Sequence, residues 1–418
     1  MYKVKDIVAA IPAMKAGNEL ESALTVMPNY SEEMRYESEA VRLMLLSDIY
    51  QIYIPSSMSY EIYNKLYLSL LRSLQKKCMK TVIQQQSQNY KAIQQQEYRG
   101  IIGGSDSFTI IGCSGIGKSS AISRAISLIT ENRIIEIDEP YSKIIPCLVV
   151  QCPFDSSVKG LLLEILRKVD DYFGSKYYEN ALRAKSTTDM LIGSVSQIAL
   201  NHIGLLIVDE IQNVCNSKNG NSLVGMLTQL INNSGISICK VGTPESSVFF
   251  EQAMQLARRS LGLQYSSMKY DVNFYRFCQI VFSYQYVKQK TEITTSLVEW
   301  LYEHSSGNTS IVISLIHDAQ EIAILNGKEI LDIDTLNEAY QQRLALLHDY
   351  IVHPTTNRER QNSKVRKKKK ASDIKEVVEE EKCNTIESIF DLVTRAKKES
   401  MDIVQLLKAR MEIVEVVI

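Results

Sequence analysis

The sequence predicts an α/β fold, in which a parallel β-sheet is covered by helices on both faces and is flanked by further helical segments. Between about residues 100 and 245, short β-branched runs alternate with helical stretches, a pattern typical of parallel sheets. A glycine-rich loop follows the first of these runs directly. Apolar residues repeat at three and four spacings on either side of this region, as in amphipathic helices.

Each strand of the predicted sheet reads as a continuous apolar run, which indicates burial on both faces. The strand candidates cover residues 108–111, 145–150, 205–208 and 236–241. The helix candidates between them lie near 118–130, 157–172, 187–201 and 221–233.

Four segments follow from the changes in composition. Residues 1–98 are predicted to be mainly helical, with an amphipathic helix over 59–71 and then a glutamine-rich stretch that is either a linker or an exposed helical face. We expect the α/β core over 99–288 and a helical lid over 289–348 with breaks at Gly307 and Gly327. Residues 349–418 are predicted to be a flexible tail with a basic run, 364–370, and a short helix near 386–414.

Composition excludes several classes of protein. The 47 basic and 48 acidic side chains give a formal net charge of −1, which excludes a uniformly basic nucleic-acid binder but allows a local basic surface. No apolar run approaches the roughly 18 to 20 residues that span a bilayer, and no secretory signal is recognised, so we expect a cytoplasmic protein without a membrane partner. The eight cysteines contain no CxxC pair, which favours buried reduced thiols over metal sites or disulfides.

Residues 112–119 carry the strongest chemical signal. They read Gly-Cys-Ser-Gly-Ile-Gly-Lys-Ser and fit the phosphate-binding pattern G-x-x-x-x-G-K-[ST] between a strand and a helix. Gly112 and Gly117 let the backbone curl around phosphate oxygens, and the start of the next helix directs N–H groups at the anion. Lys118 is expected to reach the β- and γ-phosphates of ATP, and the Ser119 hydroxyl to ligate Mg²⁺. The predicted nucleotide contacts are Gly112, Cys113, Ser114, Gly115, Ile116, Gly117, Lys118, Ser119, Ser120 and Asp209.

A second motif, which carries two carboxylates, begins at Asp209, 91 residues beyond Lys118 (209 − 118). The run Leu-Leu-Ile-Val over 205–208 is a buried strand that ends in Asp209 and Glu210. Asp209 is predicted to hold Mg²⁺ together with Ser119, and Glu210 to polarise the attacking water. The presence of Glu210 favours an ATPase over a scaffold that only binds ATP.

Two further positions are candidates for catalysis. Thr243 follows the last predicted strand and is placed to hydrogen-bond the γ-phosphate or the water; an ordinary strand-to-helix turn is the alternative. Arg258 or Arg259 is a candidate arginine finger for the nucleotide of a neighbouring subunit, with solvated surface arginines as the alternative.

With these motifs in place, the chain resembles the AAA+ ATPases, and most closely the TnsC/TniB family that regulates DNA transposition. The similarity covers roughly residues 50–350. Its carriers are the loop 112–119, the strand and acidic pair over 205–210, and Val-Gly-Thr-Pro over 241–244. Looser similarities are Ile-Tyr-Ile-Pro over 52–55 with the helix after it, and the lid pattern over 301–307, 318–320 and 333–340.

The resemblance implies ATP-dependent assembly of the chain into rings or filaments around duplex DNA. It also implies that the protein links a target-selecting protein to the transposase, which would bind the C-terminal tail. By approximate alignment, Lys159 and Thr187 occupy positions that contact the DNA backbone in this family, although a lysine on a helix face is commonly just solvated. One departure concerns the lid, where Gly-Asn-Thr-Ser-Ile over 307–311 lacks the arginine that senses nucleotide in many AAA+ proteins.

Two other functions are compatible with the same motifs. One is a helicase loader or replication-initiator ATPase, and the other is an adaptor that binds nucleotide without hydrolysing it. The sequence alone leaves open the number of subunits, the choice between ring and filament, and the nature of the target selector.

Overall fold

The computed structural model describes residues 9–77, 107–138, 141–216, 220–246 and 261–344. The N-terminal part consists of α1 (Gly17–Leu24), a 3-10 turn (Glu32–Tyr36), α2 (Glu39–Leu45), a second 3-10 turn (Leu46–Gln51) and α3 (Ser57–Lys77). The predicted glutamine-rich stretch and the tail lie outside the described residues. The amphipathic helix expected over 59–71 is confirmed as part of α3.

The α/β region contains all the predicted elements and three that were not predicted. In chain order its elements are β1 (Phe108–Gly112), α4 (Lys118–Thr130), β2 (Ile135–Asp138), β3 (Tyr141–Gln151), α5 (Val158–Phe173), α6 (Tyr177–Arg183), α7 (Thr188–His202), β4 (Ile203–Asp209), a 3-10 turn (Ile211–Asn216), α8 (Gly220–Ser234), β5 (Ser237–Gly242) and β6 (Leu261–Tyr265). The unpredicted elements are β2, β6 and α6. They are four, five and seven residues long, so each gives only a weak periodic signal.

The six strands form one sheet in the order β2-β3-β4-β5-β1-β6. All neighbouring strands run parallel except β2 and β3, which pair antiparallel. The predicted parallel sheet is therefore confirmed for five strands, and the edge strand β2 makes it mixed. The Ile-Glu-Ile-Asp sequence of β2 alternates apolar and acidic residues, which is typical of a half-exposed antiparallel edge.

Helices cover the sheet on both faces because successive side chains of a strand point to opposite sides. Leu206, Val208 and Ile238 pack in one buried cluster with α5, α7 and α8. Leu205 and Ile207 belong to a second cluster with α3 and α4. Leu205 and Leu206 are both fully buried, and truncation of either to alanine would cost about 2–5 kcal/mol.

A third cluster is formed by the lid, whose elements are α9 (Val272–Ser283), α10 (Thr295–Ser305), α11 (Thr309–Leu325), α12 (Ile333–Ala339) and a π-helical turn (Tyr340–Leu344). The predicted helix breaks at Gly307 and Gly327 are confirmed, since both glycines lie between helices with positive φ. α9 lies in the range predicted as core and contributes Phe274 and Phe282 to this lid cluster. The predicted domain boundaries stay a prediction.

The N-terminal part contributes to both the sheet and the lid. Leu20 and Leu24 of α1 pack with α3 and α4, whereas Leu46 and Ile49 pack among the lid helices. Two backbone hydrogen bonds join Val26 and Tyr53, both 2.9 Å long, and bring together the two ends of the segment 26–53, which contains Leu46 and Ile49. Among the described residues, no helix is both long and apolar enough to cross a membrane.

Candidate functional site

The glycine-rich loop joins β1 to α4, and its glycines are required by its geometry. Gly115 and Gly117 have φ values of +82° and +91°, a region that L-residues with a Cβ rarely adopt. A Cβ on Gly112 would lie 2.6 Å from the Ile116 side chain and 2.9 Å from the Tyr265 carbonyl oxygen. Gly117 is also the N-cap of α4, so the first turn of that helix, with its unpaired backbone N–H groups, faces the space inside the loop.

Lys118 lies at the start of α4 and is only 9% exposed. Its ammonium group donates to the carbonyl oxygens of Gly112 and Cys113, each at 2.7 Å. Burial lowers the pKa of Lys118, and the negative charges of Asp209 and Glu210 oppose that shift. The lysine thus folds back on its own loop, where a phosphate oxygen would be a stronger acceptor than a neutral carbonyl.

Three neighbouring strands bring the predicted site residues together. β4, β5 and β1 are adjacent and parallel, so the segments after them meet at one edge of the sheet. They enclose a cavity of about 250 Å³. Its lining residues are Ser114, Gly115, Gly117, Lys118, Ser119, Ser120, Asp209, Glu210, Gln212, Gly242, Thr243 and Ser310.

Asp209 is the last residue of β4, and Glu210 follows it with an unusual backbone conformation. Glu210 has a φ of +57°, a left-handed conformation that costs a non-glycine residue about 1–2 kcal/mol. Its backbone N–H donates to the Asp209 carboxylate at 2.8 Å. Strain of this kind collects at functional sites, and here it turns the Glu210 side chain into the cavity.

Gln212 is a site residue that the sequence analysis missed. Its side-chain amide nitrogen donates to the Glu210 carboxylate, while its amide oxygen accepts the backbone N–H of Thr243 at 3.3 Å. It therefore connects the segment after β4 with the segment after β5. A polar residue in the turn that follows an acidic pair was the only signal in the sequence.

Asn213 connects the same turn to the loop between β3 and α5. Its backbone N–H donates to the Glu210 carbonyl at 3.1 Å, and its side-chain amide donates to the Cys152 carbonyl at 3.0 Å. The hydroxyl of the buried Ser156 donates back to the Asn213 carbonyl at 3.0 Å. The loop over 152–157 is therefore held against the residues that follow the acidic pair.

The lid also reaches the glycine-rich loop directly. Asn308, the N-cap of α11, donates through its side-chain amide to the Ser114 carbonyl at 2.8 Å. The Thr309 hydroxyl and the Ser310 backbone N–H both donate to the Gly115 carbonyl, each at 3.1 Å. The segment that lacks the expected arginine thus binds the loop through small polar groups, and Ser310 lines the cavity.

The groups that line the cavity are suited to bind a nucleotide triphosphate together with Mg²⁺. Ser119 and Asp209 both line the cavity, and a hydroxyl with a carboxylate is the oxygen set that Mg²⁺ prefers. Because Gly115 and Gly117 have no Cβ atom, a phosphate can approach the backbone N–H groups of the loop closely. Among the described residues, one other group of potential metal ligands exists, His317, Asp318 and Glu321, but Arg343 forms ion pairs with both of its carboxylates.

The other predicted site residues fall into three groups. Ile116 turns its side chain into the cluster beneath the sheet, and Cys113 packs against that cluster, so these two contribute backbone to the loop. The Thr243 hydroxyl donates to the Glu245 carboxylate at 2.6 Å, and the Thr243 carbonyl accepts Ser246 in a turn, so Thr243 both begins a turn and lines the cavity. Arg258 and Arg259 lie outside the described residues.

The two predicted DNA contacts lie at helix starts, as expected. Lys159 is exposed in the first turn of α5, and Thr187 is the exposed N-cap of α7, where its hydroxyl accepts the Met190 N–H at 3.4 Å. α5 directly follows β3, and α7 directly precedes β4. Because β3 and β4 are parallel neighbours, both helices run opposite to these strands and therefore in the same direction. Their C-terminal ends meet where the Phe173 ring lies 5.4 Å from the His202 ring, so Lys159 and Thr187 lie at the same end of the helix pair.

The five cysteines whose side chains the structure describes are free thiols, and four of them are buried. Burial raises the pKa of Cys147, Cys152 and Cys278 to about 12. These thiols are therefore unreactive at neutral pH, and the predicted burial is confirmed for four of the five described cysteines.

The comparisons with known proteins agree with the motifs of the site. Residues 104–266 match the family model described as Bacterial TniB protein. Over this segment the chain is similar to the TniB family. The matched segment begins just before β1 and ends just after β6, so it contains the glycine-rich loop, the acidic pair and Thr243. The mostly parallel sheet with helices on both faces has the α/β architecture that the sequence predicts around these motifs.

Solved structures similar to this chain include three with low sequence identity. The Orc1 protein of Aeropyrum pernix in complex with DNA is 15% identical at a TM-score of 0.40, over 57% of this chain and 60% of that one. Drosophila ORC bound to DNA is 12% identical at a TM-score of 0.46, over 97% and 84%. Cdc6p from Pyrobaculum aerophilum is 10% identical at a TM-score of 0.38, over 62% and 66%. The chain thus spans less than two thirds of the length of the first and third of these. No curated protein sequence matches the chain.

Proposed function

We propose that the protein is an ATP-dependent, DNA-binding regulator of transposition, which assembles on duplex target DNA and links a target-selecting protein to the transposase. The observation that carries this proposal is the meeting of the loop 112–119 with Asp209 and Glu210 in one cavity, within the segment that matches the TniB family. ATP favours the assembled state, and its hydrolysis drives disassembly.

The nucleotide is held by charge and by backbone N–H groups. Lys118 leaves the carbonyls of Gly112 and Cys113 for the phosphate oxygens, because an anionic oxygen attracts the ammonium group more strongly than a neutral carbonyl oxygen does. Ser119 and Asp209 hold Mg²⁺, which when bound neutralises charge on the β- and γ-phosphates. The domain division at 98, 288 and 348 assigns this site to the ATPase core, with the lid contacting it through Asn308.

Hydrolysis uses Glu210 as the group that accepts the proton of the attacking water. The water oxygen bonds to the γ-phosphorus, and the bond between that phosphorus and the β–γ bridging oxygen breaks, which leaves ADP and inorganic phosphate. Thr243 hydrogen-bonds the γ-phosphate or the water from the tip of β5. Positioning of these groups by three adjacent strands supports the assignment.

Self-assembly is proposed to complete the nucleotide site. The cavity of about 250 Å³ is smaller than the roughly 300–1,000 Å³ of pockets that enclose small molecules. A neighbouring subunit would supply Arg258 or Arg259 to the γ-phosphate as an arginine finger. Arginine suits this position because its charge is permanent and its planar fork binds phosphate bidentately.

Duplex DNA is proposed to bind where α5 and α7 begin. The positive ends of the two helix dipoles point the same way there, and Lys159 and Thr187 supply a charge and a hydroxyl for DNA phosphates. Contacts of this kind give affinity for any sequence and a steep dependence on salt. The tail over 349–418 is proposed to bind the transposase.

The proposal is tested by measuring affinity for two unrelated duplexes with ATP, with ADP and without nucleotide, by fluorescence anisotropy at about 50 and 200 mM salt. We expect tight binding with ATP only, equal for both duplexes and at least ten times weaker at the higher salt. Lys159→Ala should weaken binding to both duplexes, whereas Lys176→Ala, an exposed lysine at the start of α6, should not. An affinity that is the same with and without ATP at both salt concentrations would reject the proposal.

A further inference from the structure

We infer that Gln212 is a positioning residue for hydrolysis, which holds the Glu210 carboxylate in a fixed relation to the tip of β5. Gln212 lies two residues beyond Glu210, in the 3-10 turn Ile211–Asn216, and lines the nucleotide cavity. The role rests on the proposed function, since it presupposes that Glu210 accepts the proton of the attacking water.

The two ends of the Gln212 amide have different partners, and these partners fix its orientation. The backbone N–H of Thr243 can only donate, so it requires the amide oxygen of Gln212, at 3.3 Å. The amide NH₂ group then faces Glu210 and donates to its carboxylate. A glutamine therefore matches both neighbours at once, which neither a carboxylate nor an apolar side chain of the same size does.

The backbone around the amide leaves it little freedom. Glu210 is held in the left-handed conformation at φ +57°. A Cβ on Gly242 would lie 2.7 Å from the Ile211 side chain and 3.1 Å from the Gln212 amide oxygen, so only a glycine at that position lets the turn pack against β5. The amide thus links two groups that face the γ-phosphate in the proposed mechanism, Glu210 and Thr243.

The hydrogen bond from Gln212 restricts the movement of Glu210, the proposed base. The hydrogen bond that Gln212 donates to the Glu210 carboxylate holds this side chain in one orientation, directed into the cavity. Without the amide the carboxylate is free to rotate, and misplacement of a reacting group by about 1 Å costs on the order of 100-fold in rate. ATP binding depends on other groups of the loop and is unaffected.

The test compares ATP turnover and ATP affinity of Gln212→Met and Gln212→Glu with those of the full-length wild type. Both replacements keep the length of the side chain, but methionine removes the amide and glutamate places a second carboxylate beside Glu210. We expect Gln212→Met to lower kcat about 10- to 100-fold with ATP affinity changed less than threefold. Gln212→Glu should lower kcat as well with ATP affinity changed less than threefold, because a carboxylate at this position has no hydrogen to donate to the Glu210 carboxylate and repels it.

Two controls separate the possible failures. Gln342 makes the same kind of contact remote from the cavity, with its amide 3.2 Å from the Glu338 carboxylate, and Gln342→Met should leave kcat unchanged. Glu210→Gln should abolish turnover; if it does not, the proposed hydrolysis fails and not only the role of Gln212. If Glu210→Gln abolishes turnover while Gln212→Met stays within twofold of wild type, or loses ATP affinity as much as kcat, the positioning role is wrong.

Discussion

Arg42 and Glu329 form a bidentate ion pair across 287 residues of sequence, with both N–O distances 2.7 Å. The Arg42 side chain is 2% exposed and that of Glu329 is 14% exposed. Arg42 also donates to the Tyr286 carbonyl at 2.8 Å. The N-terminal part of the chain is therefore attached to the lid by a pair of charges largely removed from water, in addition to the apolar cluster there.

Arg42→Ala should lower the free energy of unfolding by about 3 kcal/mol. It removes the bidentate partner of the Glu329 carboxylate, which keeps only its contacts with Lys288, and the Arg42 donor of the Tyr286 carbonyl. Denaturant unfolding followed by circular dichroism measures this change. Arg183→Ala is the matched control, since its pair with Glu179 is exposed and should contribute no more than about 0.5 kcal/mol. Equal effects of the two substitutions would show that Arg42 stabilises the protein no more than a surface arginine does.

The same ion pair predicts a pH dependence of stability. The hydrogen bond from Arg42 holds the pKa of Glu329 below its ordinary value of 4.5. For an acid with a depressed pKa in the folded state, the stabilisation is complete above the unfolded pKa and is lost as pH falls through the folded pKa. The difference in unfolding free energy between wild type and Arg42→Ala should thus be constant above about pH 5.5 and shrink below pH 4.5. A difference that grows as the pH falls would contradict the ion pair.

Two lid glycines with nearly the same backbone conformation predict very different costs of substitution. Gly307 and Gly327 have φ values of +72° and +71°. A Cβ on Gly307 would lie 1.9 Å from the Met268 carbonyl oxygen, whereas a Cβ on Gly327 would meet nothing within 4 Å. Gly327→Ala should cost only the left-handed strain of about 1–2 kcal/mol. Gly307→Ala should cost several kcal/mol more by thermal unfolding, because a rigid backbone atom must move.

Features encoded in a short stretch of sequence could be predicted for this chain, whereas features that depend on tertiary packing could not. Gly307 and Gly327 were both predicted as helix breaks from composition, but only the packing distinguishes the crowded glycine from the free one. The loop 112–119 and the acidic pair can be recognised in the sequence because each is a short contiguous motif at the end of a strongly apolar strand, and the structure brings them into one cavity. Gln212 was missed because its role depends on Thr243, which a neighbouring strand brings close from 31 residues away.

Lys118→Ala should abolish nucleotide binding without unfolding the protein. The lysine is buried and its pKa is lowered by that burial, so its removal costs the nucleotide-free protein little. In the wild type, ATP with Mg²⁺ at about 100 times its Kd should stabilise the fold by about 2.7 kcal/mol, seen as a rise in Tm. That rise should be absent in Lys118→Ala and intact in Lys176→Ala. A full rise in Lys118→Ala would refute the assignment of the phosphate site.

Asn213→Ala should loosen the loop over 152–157 from the residues that follow Glu210. The substitution leaves the Cys152 carbonyl without the side-chain amide that lies 3.0 Å away, and loss of one such hydrogen bond costs about 1–1.5 kcal/mol. The equilibrium for local opening of the loop should therefore rise about tenfold. The backbone hydrogen bond from Asn213 to the Glu210 carbonyl is retained in this variant, so the conformation of the acidic pair should persist.

Cys152 itself reports the opening. Its thiol is buried and its pKa is raised to about 12, so an alkylating reagent reaches it only when the loop opens. Labelling of Cys152, followed by mass spectrometry of its peptide, should be about ten times faster in Asn213→Ala, while labelling of the buried Cys278 in the lid stays unchanged. Asn273→Ala, an exposed asparagine of α9, should leave both rates as in the wild type. Faster labelling of Cys152 and Cys278 together would instead indicate global unfolding, and then Asn213 would stabilise the whole fold and not this loop in particular.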